Sequence, residues 1–316
     1  MKGKIIEFEG IDGCFKETNS KKLTEYLNNL GIKTTRLTFP TYNEGSYVSK
    51  FLKGEYKDRN LTKQQIAILF AIDRFDEFKS KNIKERLEHG EWFVIDRYVE
   101  SNIIYQAFDG DNNIWNNIKD YIYNLEYEDL ELPKADIVIA MYPDDIDFVI
   151  DNIIENRKDK DIYESDKEYI RNTYKNYKLL LNIKTEWIKI KTTKIYDSAL
   201  KSAVLSPLHI SLKIKFRSEK EIFDDIIKEL QKEKIIVPKI TKLETNSNYS
   251  IYINNLMNSI NMLIDMELYK YDKDYYKIYN DTLEYSKQLY NYVDKLTKTA
   301  AEYKIMNKIS ETLKLL

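Results

Sequence analysis

The chain has 316 residues, 43% of them hydrophobic, enough for one good core and a second, smaller one. Its 50 basic and 52 acidic side chains nearly cancel, so no global field draws it to nucleic acid. A single cysteine, Cys14, excludes an intrachain disulfide and a thiol-built zinc cluster, and with only His89 and His209 the metal donors are chiefly carboxylates.

In chain order, Ile5, Ile6 and Phe8 read as a buried strand that breaks at Gly10 into a short loop, ends on Lys16 and opens a helix. This is nearly a phosphate-binding loop. That pattern asks for glycine, four residues, glycine, lysine and a hydroxyl residue, because backbone N–H groups close around a phosphate at the positive end of the following helix. Gly10, Asp12, Gly13 and Lys16 fit, but Phe15 stands at the second glycine and Glu17 at the hydroxyl, with Thr18 next. A phenylalanine forced to positive φ there costs on the order of 1–2 kcal/mol and is expected to reshape the loop. Cys14 reads as an inert small residue.

Leu23, Leu27 and Leu30 have helical spacing and Gly31 supplies a stop. A strand from Lys33 to Leu37, ended by Phe39-Pro40, completes the opening of a parallel α/β sheet whose ligands sit at the carboxyl ends of the strands. Val48 to Leu52 is predicted as a short helix and Leu61 to Phe78 as a longer one, with Ile66, Leu69, Phe70, Ile72 and Phe75 near one face. Arg74 on that helix, read alone, is a snorkelling surface arginine. His89, before Gly90, reads as a helix-end residue.

Trp92 to Ile95 and Ile137 to Met141 are predicted strands. The first ends in Asp96-Arg97-Tyr98, two charges that require a partner or a ligand. A helix from Asp145 to Asn156 leads to a charged run with the composition of a solvated loop or a closing lid. Trp187 to Lys191 reads as the last strand of the sheet, Ser198 to Val204 as weakly helical, and His209 to Phe216 as a half-buried strand with Ile210, Leu212, Ile214 and Phe216 on one side. A helix from Ser218 to Lys234 closes the first unit. Pro238 to Ser250 reads as a linker, and Ile251 to Leu316 as helices with apolar and tyrosine-rich faces that need covering. The predicted organisation is an α/β domain over 1–237, with an insertion at about 192–216, and a helical extension over 250–316. No apolar run approaches the roughly 18 residues of a membrane span, and no signal-peptide pattern precedes the first strand, so a cytoplasmic protein is expected, with neither membrane nor nucleic acid as partner.

Phe8-Glu-Gly-Ile-Asp-Gly13, Phe39-Pro40, Phe70-Ala-Ile-Asp-Arg74 and Asp96-Arg97-Tyr98-Val-Glu-Ser101-Asn102-Ile-Ile-Tyr105-Gln106, in this order, resemble the thymidylate kinases over roughly residues 1 to 235. The resemblance implies a P-loop kinase-like parallel sheet flanked by helices, with a C-terminal all-helical extension outside the family pattern. It implies transfer of the γ-phosphoryl group of ATP, with Mg2+, to dTMP or a close deoxypyrimidine monophosphate. By the same resemblance Phe70 stacks on the base, Arg74 bonds its carbonyl edge, Asn102 faces N3, Tyr105 lies against the deoxyribose, and Phe39 belongs to the dTMP site. Arg97 holds the monophosphate or the transferring group, and Asp12 and Asp96 orient the acceptor and the hydrated magnesium, with no tightly bound metal. Lys16 sits on the donor phosphates, and Gly10, Gly13 and Thr18 complete the ATP site. Arg157, Lys158, Lys160, Tyr163 and Glu164 fall in the lid, and a homodimer is expected.

Besides Phe15 and Glu17, the chain departs from the family at Thr41 and Tyr42, where many members carry an arginine for the acceptor phosphate. It departs again at Ile162, where an arginine is frequent in the lid. These departures leave two further readings open: a catalytically impaired pseudokinase acting as a nucleotide-binding or protein-interaction module, and a scaffold whose function lies in the helical tail.

Overall fold

The computed structural model describes residues 2–107, 112–154, 166–196, 213–233 and 235–236. The predicted lid residues Arg157, Lys158, Lys160, Tyr163 and Glu164, the helix at 198–204, the linker and the helical extension lie outside the described residues. The chain divides into a unit spanning Lys2–Ile226 and a second from Ile227 onward, of which 227–233 and 235–236 are described.

Short apolar runs flanked by polar turns make the strands β1 (Ile5–Glu9), β2 (Thr34–Thr38), β3 (Trp92–Asp96), β4 (Ile137–Tyr142) and β5 (Ile188–Lys191). They form one five-stranded sheet in the order β2-β3-β1-β4-β5, and every neighbouring pair is parallel. β1 and β3 are buried along their whole length, as expected for inner strands covered on both faces.

The helices follow from their end signals. Helix α1 (Lys16–Asn29) buries Leu23 and Leu27. α2 (Tyr47–Leu52) is capped by Ser46, and α3 (Lys63–Ser80) by a capping box of Thr62 and Gln65. α4 (Ile83–Glu88) ends at His89, whose Nδ1 lies 2.7 Å from the Glu85 carbonyl. α5 (Val99–Gln106) follows β3, and α6 (Asn112–Tyr123) continues into a π-helical turn at Asn124–Asp129. The helix predicted from Asp145 forms as α7 (Ile146–Val149) and a π-helical turn at Ile150–Ile154. α8 (Lys167–Ile183) is capped by Asp166.

Past β5, β6 (Thr193–Tyr196) pairs antiparallel with β7 (Lys213–Phe216), followed by α9 (Glu219–Lys232). β7 and α9 answer to the last predicted strand and helix of the first unit. Among the described residues no helix is long and apolar enough to cross a membrane.

Candidate active site

The carboxyl ends of β1 and β3 are neighbours, with Phe8 in register with Asp96, so the loops leaving the two strands meet. In the first loop Gly10 has φ 151° and Gly13 φ 80°. A Cβ on Gly10 would stand 2.4 Å from the Met141 carbonyl oxygen, so both its backbone angle and its neighbour require glycine. Phe15 has φ 60° and ψ 22°, the left-handed conformation expected of a side chain standing where the pattern has glycine. Its carbonyl accepts from both the backbone N–H and Nδ2 of Asn19, at 3.1 and 2.8 Å. No side chain caps the N-terminus of α1. Its leading N–H groups are of the kind that bind phosphate. Glu17 is exposed and paired with Lys21 at 2.6 Å, one turn further along the helix.

Lys16 is buried, and its Nζ donates to the Ile11 carbonyl at 2.6 Å. Burial and the neighbouring Arg97 charge lower its pKa, while Asp12 and Asp96 oppose that shift. Arg97, itself at φ 67°, donates from Nη2 to Asp12 Oδ1 at 2.7 Å and from Nη1 to the Gly10 carbonyl at 3.0 Å. Tyr105 donates its hydroxyl to Asp12 Oδ2 at 2.9 Å, and the Arg97 guanidinium lies 5.3 Å from its ring centre. Asp12, Lys16, Arg97 and Tyr105 therefore form one cluster. Asp96 and Arg97 do not pair with each other: Arg36 on β2, which the sequence did not single out, donates to Asp96 Oδ2 at 2.8 Å. Cys14 is fully buried and its thiol is pushed up to about 11 by desolvation, in keeping with an inert residue.

A second cluster lies between α3, α5 and the turn at Asn124–Asp129. The surface reading of Arg74 is corrected here, because the side chain is 2% exposed and its Nε and Nη2 donate to the two carboxylate oxygens of Glu126 at 2.5 and 2.6 Å. A snorkelling arginine needs water at its tip, and this one has a buried carboxylate instead. Asn102 Nδ2 donates to the Ala67 carbonyl at 3.0 Å and to Glu126 Oε1 at 2.8 Å. Flipping this amide would set oxygen against two oxygens, so its orientation is fixed. Its Oδ1 is buried with no hydrogen-bond partner among the described residues. Glu126 gave no sequence signal.

Phe70 is half-buried and meets Phe51 edge-on, with centroids 6.2 Å apart, at the border of the apolar cluster of Val48, Phe51 and Leu52. Phe39 is buried and stacks on Phe78 at 6.4 Å. Thr41 bonds Asp73 through both its N–H and its hydroxyl.

On α5, Glu100 accepts from the Tyr123 hydroxyl at 3.0 and 2.9 Å and lies 3.9 Å from Lys184 Nζ. Burial raises its pKa from 4.5 to about 7, against the pull of Lys184. Between those two values the folded chain holds a proton that the unfolded chain releases, so stability falls as pH rises across the window. Glu100→Gln cannot ionise and is expected to flatten that fall. Denaturant midpoints measured at intervals from pH 4.5 to pH 7 check it, and equal slopes for both proteins would refute the assignment.

An all-parallel sheet in this order, flanked by helices and with a glycine-lysine loop between its central strand and the first helix, is a P-loop kinase-like fold. The family model for thymidylate kinase matches residues 8–203. The chain belongs to the thymidylate kinase family. It is 35% identical over 170 residues to a thymidylate kinase of Brachyspira hyodysenteriae, covering 54% of this chain and 77% of that one. It is 31% identical over 238 residues to a thymidylate kinase of Plasmodium falciparum, covering 74% of this chain and 92% of the relative. A solved thymidylate kinase structure from Candida albicans aligns with TM-score 0.47 and 20% identity, covering 60% of this chain and 84% of that one. Family membership makes the chain a phosphotransferase, and the comparisons lend no support to the impaired-module reading.

Proposed function

We propose that the chain is a dTMP kinase, transferring the γ-phosphoryl group of ATP to dTMP or a close deoxypyrimidine monophosphate. The observation that carries this reading is the buried set of Arg74, Glu126 and Asn102. Glu126 fixes both partners, so that the remaining guanidinium nitrogen of Arg74 is a donor and Asn102 Oδ1 an acceptor. Thymine and uracil offer the complement, a carbonyl acceptor beside an N–H donor. Cytosine offers the reverse, a donor beside an acceptor. Phe70 supplies the flat apolar face, Tyr105 lies against the sugar, and Phe39 supports the site through its aromatic neighbours.

In this reading Lys16 exchanges the Ile11 carbonyl for the donor's phosphate oxygens, and the loop from Gly10 through Gly13 to Thr18 surrounds them. Arg97 exchanges its contact with Asp12 for the acceptor phosphate and the group in transfer, placing fixed positive charge where negative charge develops. Arg157, Lys158, Lys160, Tyr163 and Glu164 serve the lid. Among the described residues no group of three or more carboxylates, histidines or cysteines could hold a metal ion by itself. Asp12 and Asp96 are hard oxygen donors near Lys16, and they fit a magnesium ion that arrives with ATP and keeps most of its water. When bound, that ion neutralises charge on the phosphates. The family match over residues 8–203 supports taking residues 1–237 as the kinase unit, and the same reading makes the protein a cytoplasmic homodimer.

Calorimetric titration with dTMP, dUMP, dCMP and UMP tests the acceptor. Tighter binding of dTMP and dUMP than of the other two is expected. Equal affinity for all four, or no binding of any deoxypyrimidine monophosphate, would sink the reading. Phe70→Ala is expected to cost roughly 1–3 kcal/mol of dTMP affinity, the worth of one aromatic platform under a base.

A further inference from the structure

The donor loop holds a phenylalanine where its conformation calls for glycine, and a contact outside the loop accounts for how it is held. Phe15 stands at φ 60° with its ring edge-on to Phe216 of β7, centroids 5.4 Å apart and planes at 84°. Phe216 is fixed in turn: its ring lies 4.8 Å from that of Phe148, and it packs against the buried cluster of Val149, Ile150 and Ile170. Its backbone belongs to the β6–β7 hairpin, paired with Thr193. The next residue, Arg217, ties the hairpin to the end of the main sheet, donating from its N–H to the Thr192 carbonyl and from Nη1 to the Lys191 carbonyl, both at 2.9 Å.

We propose that Phe216 is a positioning residue for the donor-phosphate loop, holding the Phe15 ring and through it the left-handed turn that opens α1. Glycine reaches that conformation without help. A phenylalanine reaches it against a steric penalty, and holds it when its side chain gains more in that state than in the competing extended or right-handed ones. The edge-to-face contact with an anchored ring is such a gain. The hairpin thereby restores in packing what the loop lacks in backbone freedom. Phe216 lies past residue 203, where the match to the family model ends.

This inference rests on the reading that ATP binds at this loop, and a double-mutant cycle on the full chain separates the two. Binding of a non-hydrolysable ATP analogue and of dTMP is measured for wild type, Phe216→Ala, Phe15→Gly and the double variant. Phe216→Ala is expected to weaken the ATP analogue by about five-fold or more, the coupling expected of residues in contact, while dTMP affinity stays within about two-fold. In the Phe15→Gly background the same change is expected to move analogue affinity by less than about two-fold, because glycine holds the turn alone. Equal losses in both backgrounds, or none with Phe15 present, would overturn the inference while leaving the kinase reading intact. A wild type that binds no ATP analogue would overturn both. Should Phe216→Ala melt at a much lower temperature than wild type, Phe216→Leu keeps the apolar packing without the ring, and the same dependence on residue 15 is required of it.

Discussion

Arg74→Ala is expected to destabilise the protein by about 3–5 kcal/mol, the penalty for leaving a buried partner charge uncompensated. Glu126 is fully buried and loses both guanidinium donors at once, retaining among the described residues only Asn102 Nδ2. Replacing both residues by leucine removes the stranded charge, and since apolar substitutes for a buried pair are often neutral or better, most of the lost stability should return. On the proposed reading, binding of dTMP should not return, because Arg74 no longer supplies a donor for the base carbonyl and Asn102 loses one of the two contacts that fix its amide. Denaturant midpoints for the single and double variants, read beside dTMP titrations, distinguish a structural ion pair from one that also presents a ligand-binding edge. Recovery of both stability and dTMP affinity in the double variant would make the pair purely structural.

The sheet was legible because its inner strands are short apolar runs, and runs buried on both faces need no alternation to be recognised. The left-handed Phe15 was legible for a related reason: a motif that requires glycine at a position states the backbone angle there, whatever residue occupies it. Helices without a clean apolar stripe were harder. α5 is eight residues long and buries all but Tyr105, so it carries no amphipathic period, and α8 buries tyrosines and an asparagine among its aliphatic residues. Partners distant in sequence were out of reach. Arg74 on α3 finds its carboxylate on a π-helical turn, Asp96 finds Arg36 on a neighbouring strand, and Phe15 finds Phe216 beyond the main sheet. Periodicity reports that a face is covered. It does not report by what.

If Lys16 holds the donor phosphates as proposed, Lys16→Met is expected to lower kcat by about 10²–10³, as loss of one preorganised electrostatic contact does. The ammonium is buried and bonded to the Ile11 carbonyl of its own loop, so it is held in place before any nucleotide arrives. Burial and Arg97 lower its pKa, yet Asp12 and Asp96 favour the charged form. Its charge counts for more on the transferring group than on bound ATP, since negative charge shifts among the phosphoryl oxygens during transfer. The loss should therefore appear in kcat more than in ATP affinity, with dTMP affinity unchanged within about two-fold because Arg74 and Asn102 are untouched. Lys16→Arg is expected to rescue little: the planar fork is larger than the ammonium and its site is closed. A coupled assay of ADP release on the three proteins decides the matter, with wild-type turnover in the ordinary kinase range of roughly 1–100 s⁻¹ as its reference. If Lys16→Met retained turnover within about ten-fold of wild type, far short of what such a contact contributes, the donor phosphates would have to be held elsewhere.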